Sequence, residues 1–236
     1  MTSIPQRLAM VKERMERAAV AAGRSVAEIQ LIAVSKRKPA SDIRVAYAEG
    51  VRDFGENYVQ ELQAKAQELG DLPDLRWHMI GHLQRNKAKH VVEVASTVQT
   101  VDSVALVTEL GRRAAMRDGE RPPLAVLVEV NVGGEDEKSG CEPAELAPVL
   151  VAVEAQPALA LRGLMTIPPF TNDPRDARPY FELLARLQVE HGGRQRLPEL
   201  SMGMTHDLEQ AVLAGATMVR VGTAIFGERP PKPAGI

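Results

Sequence analysis

Short apolar or β-branched runs recur eight times along the chain, and a stretch of helical spacing separates each from the next. The runs are LIAVS (31–35), VRDFG (51–55), LRWHMIG (75–81), TVQTVD (97–102), LAVLVEVN (124–131), LALRGLM (159–165), LPELSMG (197–203) and MVRVG (218–222). Segments 41–49, 57–69, 84–94, 103–117, 143–155, 176–190 and 205–214 have helical period and composition. Strands alternating with helices argue for parallel βαβ units. Eight such units in about 200 residues fill a (β/α)8 TIM barrel. An open doubly wound sheet is the other solution, because periodicity does not show closure.

Ahead of the first run, Leu8, Val11, Met15 and Ala18 recur among Arg and Glu. Residues 1–25 are therefore expected to form a leading amphipathic surface helix, not a secretory signal. Ser41 and Asp42 are expected to cap the helix after Pro39, with Gly50 and Gly70 ending theirs. Segments 133–140 and 168–176 read as loops. No Gly/Ser or Pro-rich linker interrupts the chain, so residues 1–236 are expected to form one domain ending in an extended tail over 228–236. With 236 residues, 44% of them hydrophobic, the chain has the means to bury a sizeable core.

Several function classes are excluded by composition. The net charge is -2, and four Phe, three Tyr and one Trp leave no stacking platform for single-stranded nucleic acid. No run reaches the roughly 20 apolar residues of a membrane span. Cys141 is the single cysteine, which rules out an internal disulfide and fits a reducing cytoplasm, where it reads as an inert thiol.

A barrel of this kind works at the carboxyl ends of its strands, and its phosphate sites form after strands seven and eight. Lys36 lies at the exit of the first strand. SMGMTHD (201–207) follows the seventh and RVGTAIFG (220–227) the eighth. Gly203 and Gly222 with Ser201 and Thr223 suit an anion cradle, or else they simply make tight turns. Arg220, flanked by valines, is turned to the opposite face of its strand, either in a salt bridge to Glu129 or on a ligand. Lys36 has three readings: a surface cation like Arg37 and Lys38, a countercharge for phosphate, or a Schiff-base amine.

LIAVSKRKP, FGENYVQE, WHMIGHLQRNK, GLMTIPP and SMGMTHDLEQAVLAGATMVRVGTAIFG span residues 31 to 227. With these segments in this order, the chain resembles the YggS/PROSC family of pyridoxal 5′-phosphate (PLP) homeostasis proteins. That family is similar to the barrel domain of alanine racemase without its second domain. The resemblance implies that Lys36 forms an aldimine with PLP, and that Ser201, Gly222 and Thr223 hold the phosphate. Arg220 would face the pyridine nitrogen and Asn57 would line the pocket. An arginine there favours an unprotonated nitrogen and a weaker electron sink. Thr205 replaces a serine of the pattern and keeps its hydroxyl. None of Tyr47, Tyr58 and Tyr180 falls in a segment assignable to the tyrosine that racemases place on the other cofactor face.

On this reading the protein is a cytoplasmic, monomeric PLP-binding protein, not an enzyme, that passes the cofactor to apo-enzymes. The alternatives are a PLP-dependent amino-acid racemase using the same lysine, or a phosphosugar enzyme that does not use PLP. His78 and His82 stand four apart but lack the glutamate of a zinc helix, so no metal is expected; His82 is expected near the pocket rim. The basic stretch 82–90 and the acidic residues 134–137 read as solvated surface.

Overall fold

Each apolar run becomes a strand. The computed structural model describes residues 2–135 and 139–228. Its strands are β1 (Gln30–Val34), β2 (Asp53–Glu56), β3 (Arg76–Met79), β4 (Thr97–Val101), β5 (Leu124–Glu129), β6 (Leu159–Met165), β7 (Glu199–Ser201) and β8 (Met218–Val221). All pair in parallel with their sequence neighbours, and β8 returns to β1 with Ile32 opposite Arg220 and Ala33 opposite Val221. The sheet is thus a closed barrel, and the open alternative is set aside.

Helices cover the outside, so both faces of every strand are buried, and the strands read as continuous runs instead of alternating ones. Phe54, Val98, Val126, Leu164 and Val219 join the core beneath the helices. Ile32, Leu127, Met165 and Met218 form a separate cluster. Their neighbours at inward positions are polar: Asp53, His78, Gln99, Glu129, Ser201 and Arg220 are all buried. The Ser201 hydroxyl donates to Gln99 at 2.6 Å, joining β7 to β4, which are not neighbours in the sheet. Such a bond has to cross the barrel interior.

The leading helix is Ile4–Ala21, opened by a capping box between Ser3 and Gln6. It is shorter than the expected span to residue 25, because Gly23 takes φ +67° and Ser25 caps the 3-10 turn Val26–Glu28. Leu8, Val11, Met15 and Ala18 are buried as their spacing predicts. Arg14 grips Glu209 with two bonds of 2.7 and 2.8 Å and donates to the Thr205 carbonyl at 2.9 Å. Arg7 donates to the Ile225 carbonyl at 2.6 Å. The helix therefore braces the chain after β7 and β8, where an anion site was expected.

Other expectations need correction. The helix after Pro39 is Ala40–Ala48, and Pro39 itself occupies the N-cap with no side-chain cap. Ser41 and Asp42 lie within the first turn, since proline's fixed φ already suits the helix entry. Gly50 ends this helix at φ +88°, whereas Gly70 follows the C-cap Leu69 without a positive φ. Segment 84–94 contracts to the 3-10 turn Arg85–Lys87 and the helix Ala88–Val91, and 205–214 to the helix Leu208–Leu213. Residues 136–138, expected in a loop, and 229–236, expected as a tail, lie outside the described residues. No helix among the described residues is long and apolar enough to cross a membrane.

Candidate functional site

The turn that carries Lys36 is fixed from below by charges that sequence reasoning missed. Glu56 ends β2, and the helix Val59–Glu68 presents Glu61 and Lys65 one turn apart. Lys65 is only 6% exposed. Its ammonium donates to Glu56 at 2.6 Å, to Glu61 at 2.8 Å and to the Ser35 carbonyl at 2.7 Å. The Ser35 hydroxyl donates to Glu56 at 2.7 Å, and the Arg37 amide to Glu61 at 2.5 Å. Arg37 has φ +61°, the sole positive φ outside glycine among the described residues. A β-carbon strains that conformation, so it persists only where the surroundings hold it. Half-buried Lys36 stands between the two pinned residues. Burial raises the Glu56 carboxyl above its usual range, and the Lys65 charge opposes the rise.

Across the seam lies the chain after β8. A β-carbon on Gly222 would sit 3.2 Å from the Val34 carbonyl oxygen, so the exit of β8 lies against the exit of β1. Lys38, expected as a surface cation, ties the two together: its ammonium donates to the carbonyls of Phe226 at 2.9 Å and Glu228 at 2.6 Å. The helical turn Thr223–Phe226 presents its carbonyls there, and a lysine satisfies them. The Thr223 hydroxyl meets that of Thr205 at 3.1 Å, and the Ala224 amide points to Thr205 at 3.4 Å. Lys36, Gly222, Thr223 and Thr205 thus share one side of the rim.

Ser201 and Arg220 sit deeper. Arg220 is 3% exposed and faces inward, as its flanking valines predict. It donates to the Ser201 oxygen at 2.7 Å and to the Thr166 carbonyl at 2.8 Å. The salt bridge to Glu129 considered from sequence is replaced by these neutral contacts, and Glu129 acts on Arg220 through its charge alone. Desolvation lowers the guanidinium to about 10, which leaves it cationic at neutral pH. The Ser201 side chain faces Gln99 and Arg220 instead of the Gly222 turn.

Asn57 Oδ1, just after β2, and Glu129 Oε2, on β5, are buried without a hydrogen-bond partner among the described residues. A β-carbon on Gly81 would overlap the Asn57 carbonyl and lie 2.8 Å from its carbon, so this glycine sets how near β3 comes to Asn57. His82 lies at this rim, 3.4 Å from Asp102, whereas His78 is in the interior. Cys141 is buried, and desolvation pushes its thiol up to about 12, far from thiolate reactivity.

Burial also pushes the Glu129 carboxyl up to about 7, against the pull of Arg220. The folded state therefore holds a proton that the unfolded state has lost between the ordinary carboxyl value of 4.5 and about 7. Stability falls as pH rises through this window, and the penalty is complete above it. In ligand-free protein, Glu129→Gln is expected to gain up to about 3 kcal/mol over the parent at pH 8 and nearly nothing at pH 4.5. Urea midpoints at the two pH values measure this; an equal difference at both would contradict it.

The turn after β1 thus carries a lysine, the turn after β8 a glycine and a threonine, and β8 itself a buried arginine, all on a closed parallel barrel. The alanine racemase N-terminal domain model matches residues 8–230. The pyridoxal phosphate homeostasis protein of Pseudomonas aeruginosa is 45% identical over 229 residues, covering 97% of each chain. PipY of Synechococcus elongatus PCC7942, a structure with PLP bound, superposes with a TM-score of 0.80 at 39% identity, covering 95% of this chain and 100% of that one. The alanine racemase of Corynebacterium glutamicum shares the fold at TM-score 0.62 and 18% identity, covering 95% of this chain and 62% of that one. The chain belongs to the alanine racemase N-terminal domain family, on its pyridoxal phosphate homeostasis branch.

Proposed function

We propose that this chain binds PLP on Lys36 and holds it for delivery to apo-enzymes. The observation that carries the reading is the β1–β8 seam, where the Lys36 turn and the Gly222–Thr223 turn lie side by side. The residues present fit the cofactor. Hydroxyls of Thr205 and Thr223 stand where a phosphate would be held, Arg220 offers a donor to a ring nitrogen, and Asn57 has an acceptor without a partner. When bound, PLP supplies an aldehyde that a primary amine condenses with, releasing water. Lys36 supplies that amine, and the pinned turn orients it. An arginine at the ring nitrogen leaves the nitrogen unprotonated, which suits storage better than carbanion chemistry. Release follows when another primary amine displaces Lys36 from the aldimine. Support comes from the names of the relatives and the PLP-bound structure of PipY.

The test is an absorbance spectrum of the purified protein with PLP, before and after borohydride, followed by peptide mapping. The expected result is a visible band that borohydride bleaches, with the label on Lys36. Lys36→Ala is expected to abolish the band and weaken PLP retention at least a hundredfold. An unchanged band in Lys36→Ala would overturn the assignment.

A further inference from the structure

One hydrogen-bonded chain runs the length of the barrel interior. At the amino-terminal mouth, Arg76 holds Asp53 with bonds of 2.8 and 2.6 Å. His78 Nε2 lies 2.9 Å from Asp53 Oδ1, and His78 Nδ1 lies 3.1 Å from Gln99 Nε2. The same Gln99 nitrogen reaches the Met218 sulfur at 3.8 Å, and Gln99 Oε1 accepts from Ser201 at 2.6 Å. Ser201 then accepts from Arg220 at 2.7 Å. Asp53, His78, Gln99, Ser201 and Arg220 are all buried.

With a neutral imidazole at His78, chemistry allows these contacts only one consistent direction. Asp53 is held well below the usual carboxylate range by Arg76, His78 and Gln30 against its burial, so it only accepts. His78 must then carry its proton on Nε2 when the ring holds one, and Nδ1 must accept. Gln99 has to turn its amide nitrogen toward Nδ1, which leaves its oxygen for Ser201. The Ser201 hydroxyl proton is committed to that oxygen, and only its lone pairs remain for Arg220. No proton of Ser201 is left for an anion at the rim.

We infer that Ser201, Gln99 and His78 are positioning residues that lock the plane of the Arg220 guanidinium, and that Ser201 does not grip the phosphate. The inference rests on the PLP reading of the site. Thr166, directly after β6, holds the other terminal guanidinium nitrogen through its carbonyl. Both Arg220 contacts are thus set before any ligand arrives, so its remaining N–H groups are aimed without rearrangement.

The test has two arms. In the ligand-free full chain, nitrogen-15 NMR is expected to show His78 as the Nε2–H tautomer; the Nδ1–H tautomer would overturn the relay whether or not PLP binds. In the second arm, dissociation constants for PLP and for pyridoxal, which lacks the phosphate, are compared across variants. Ser201→Ala and Gln99→Met are expected to weaken both ligands by a similar factor of about tenfold and to shift the absorbance maximum of bound PLP. Gln99→Glu keeps the acceptor for Ser201 but removes the donor to His78 Nδ1, and is expected to restore the affinity only in part. A loss confined to PLP in Ser201→Ala would mean a phosphate grip and overturn the inference, as would wild-type affinity in Gln99→Met. Should Gln99→Met not fold, Ser201→Ala and Gln99→Glu decide. If the parent binds neither ligand, the PLP reading fails, and the NMR arm still judges the relay.

Discussion

Gly163→Ala is expected to cost on the order of 4 kcal/mol or more, a large share of the about 5–15 kcal/mol that holds a domain together. Gly163 lies on β6 at φ +153°, just where the pairing with β5 slips by one residue, from Val126↔Leu161 to Leu127↔Gly163. The added β-carbon would overlap the Glu199 carbonyl oxygen and lie 2.7 and 2.9 Å from its carbon and nitrogen. Those are backbone atoms of the paired strand β7, so no rotamer relieves the clash. Either β6 or β7 must move, and β7 spans only Glu199–Ser201. Gly119→Ala is the control: φ is +75°, but no atom lies within 4 Å of the new carbon, so its expected cost is about 1 kcal/mol. Urea unfolding of both variants gives the answer, and similar midpoints would refute the close approach.

Lys65→Met is expected to cost about 3–5 kcal/mol, the range for removing one partner of a buried ion pair. The variant keeps the volume but leaves Glu56 with the Ser35 hydroxyl alone, while its other oxygen already lacks a partner. Without the ammonium, the Glu56 pKa in the folded state rises further. The folded protein then takes up a proton that the unfolded chain has lost, so stability falls as pH rises above the unfolded value. The deficit against the parent is therefore expected to grow from pH 5 to pH 8. Adding Glu56→Gln is expected to return part of the loss at pH 8. A deficit independent of pH, or none at all, would show that the cluster does not anchor the Lys36 turn.

The two sites differ in how far the sequence announces them. β-Branched runs identify every strand, because strands buried on both faces must be apolar almost throughout. The inward face of Arg220 follows from Val219 and Val221 beside it, since the side-chain period of a strand is two. Closure into a barrel is a long-range property, and no local period encodes it. Lys65 was hidden for a different reason. Glu61 and Lys65 stand four apart in a polar helix, a pattern indistinguishable from a solvated surface pair. Only the position of that helix over β2 buries it. The contact of Ser201 with Gln99 was equally illegible, because adjacency to a glycine turn says nothing of which acceptor a rotating O–H selects. Gln99, its actual partner, is 102 residues away.

The seam between β1 and β8 also constrains the order in which such a chain acquires its binding capacity. Val34 near the start and Gly222 near the end form adjoining parts of one rim. A ribosome-bound fragment that stops anywhere short of the final strand has one bank of this rim and not the other. On the proposed reading, a ligand that spans the seam would be captured only once the ring shuts, and it would act as a clasp against reopening.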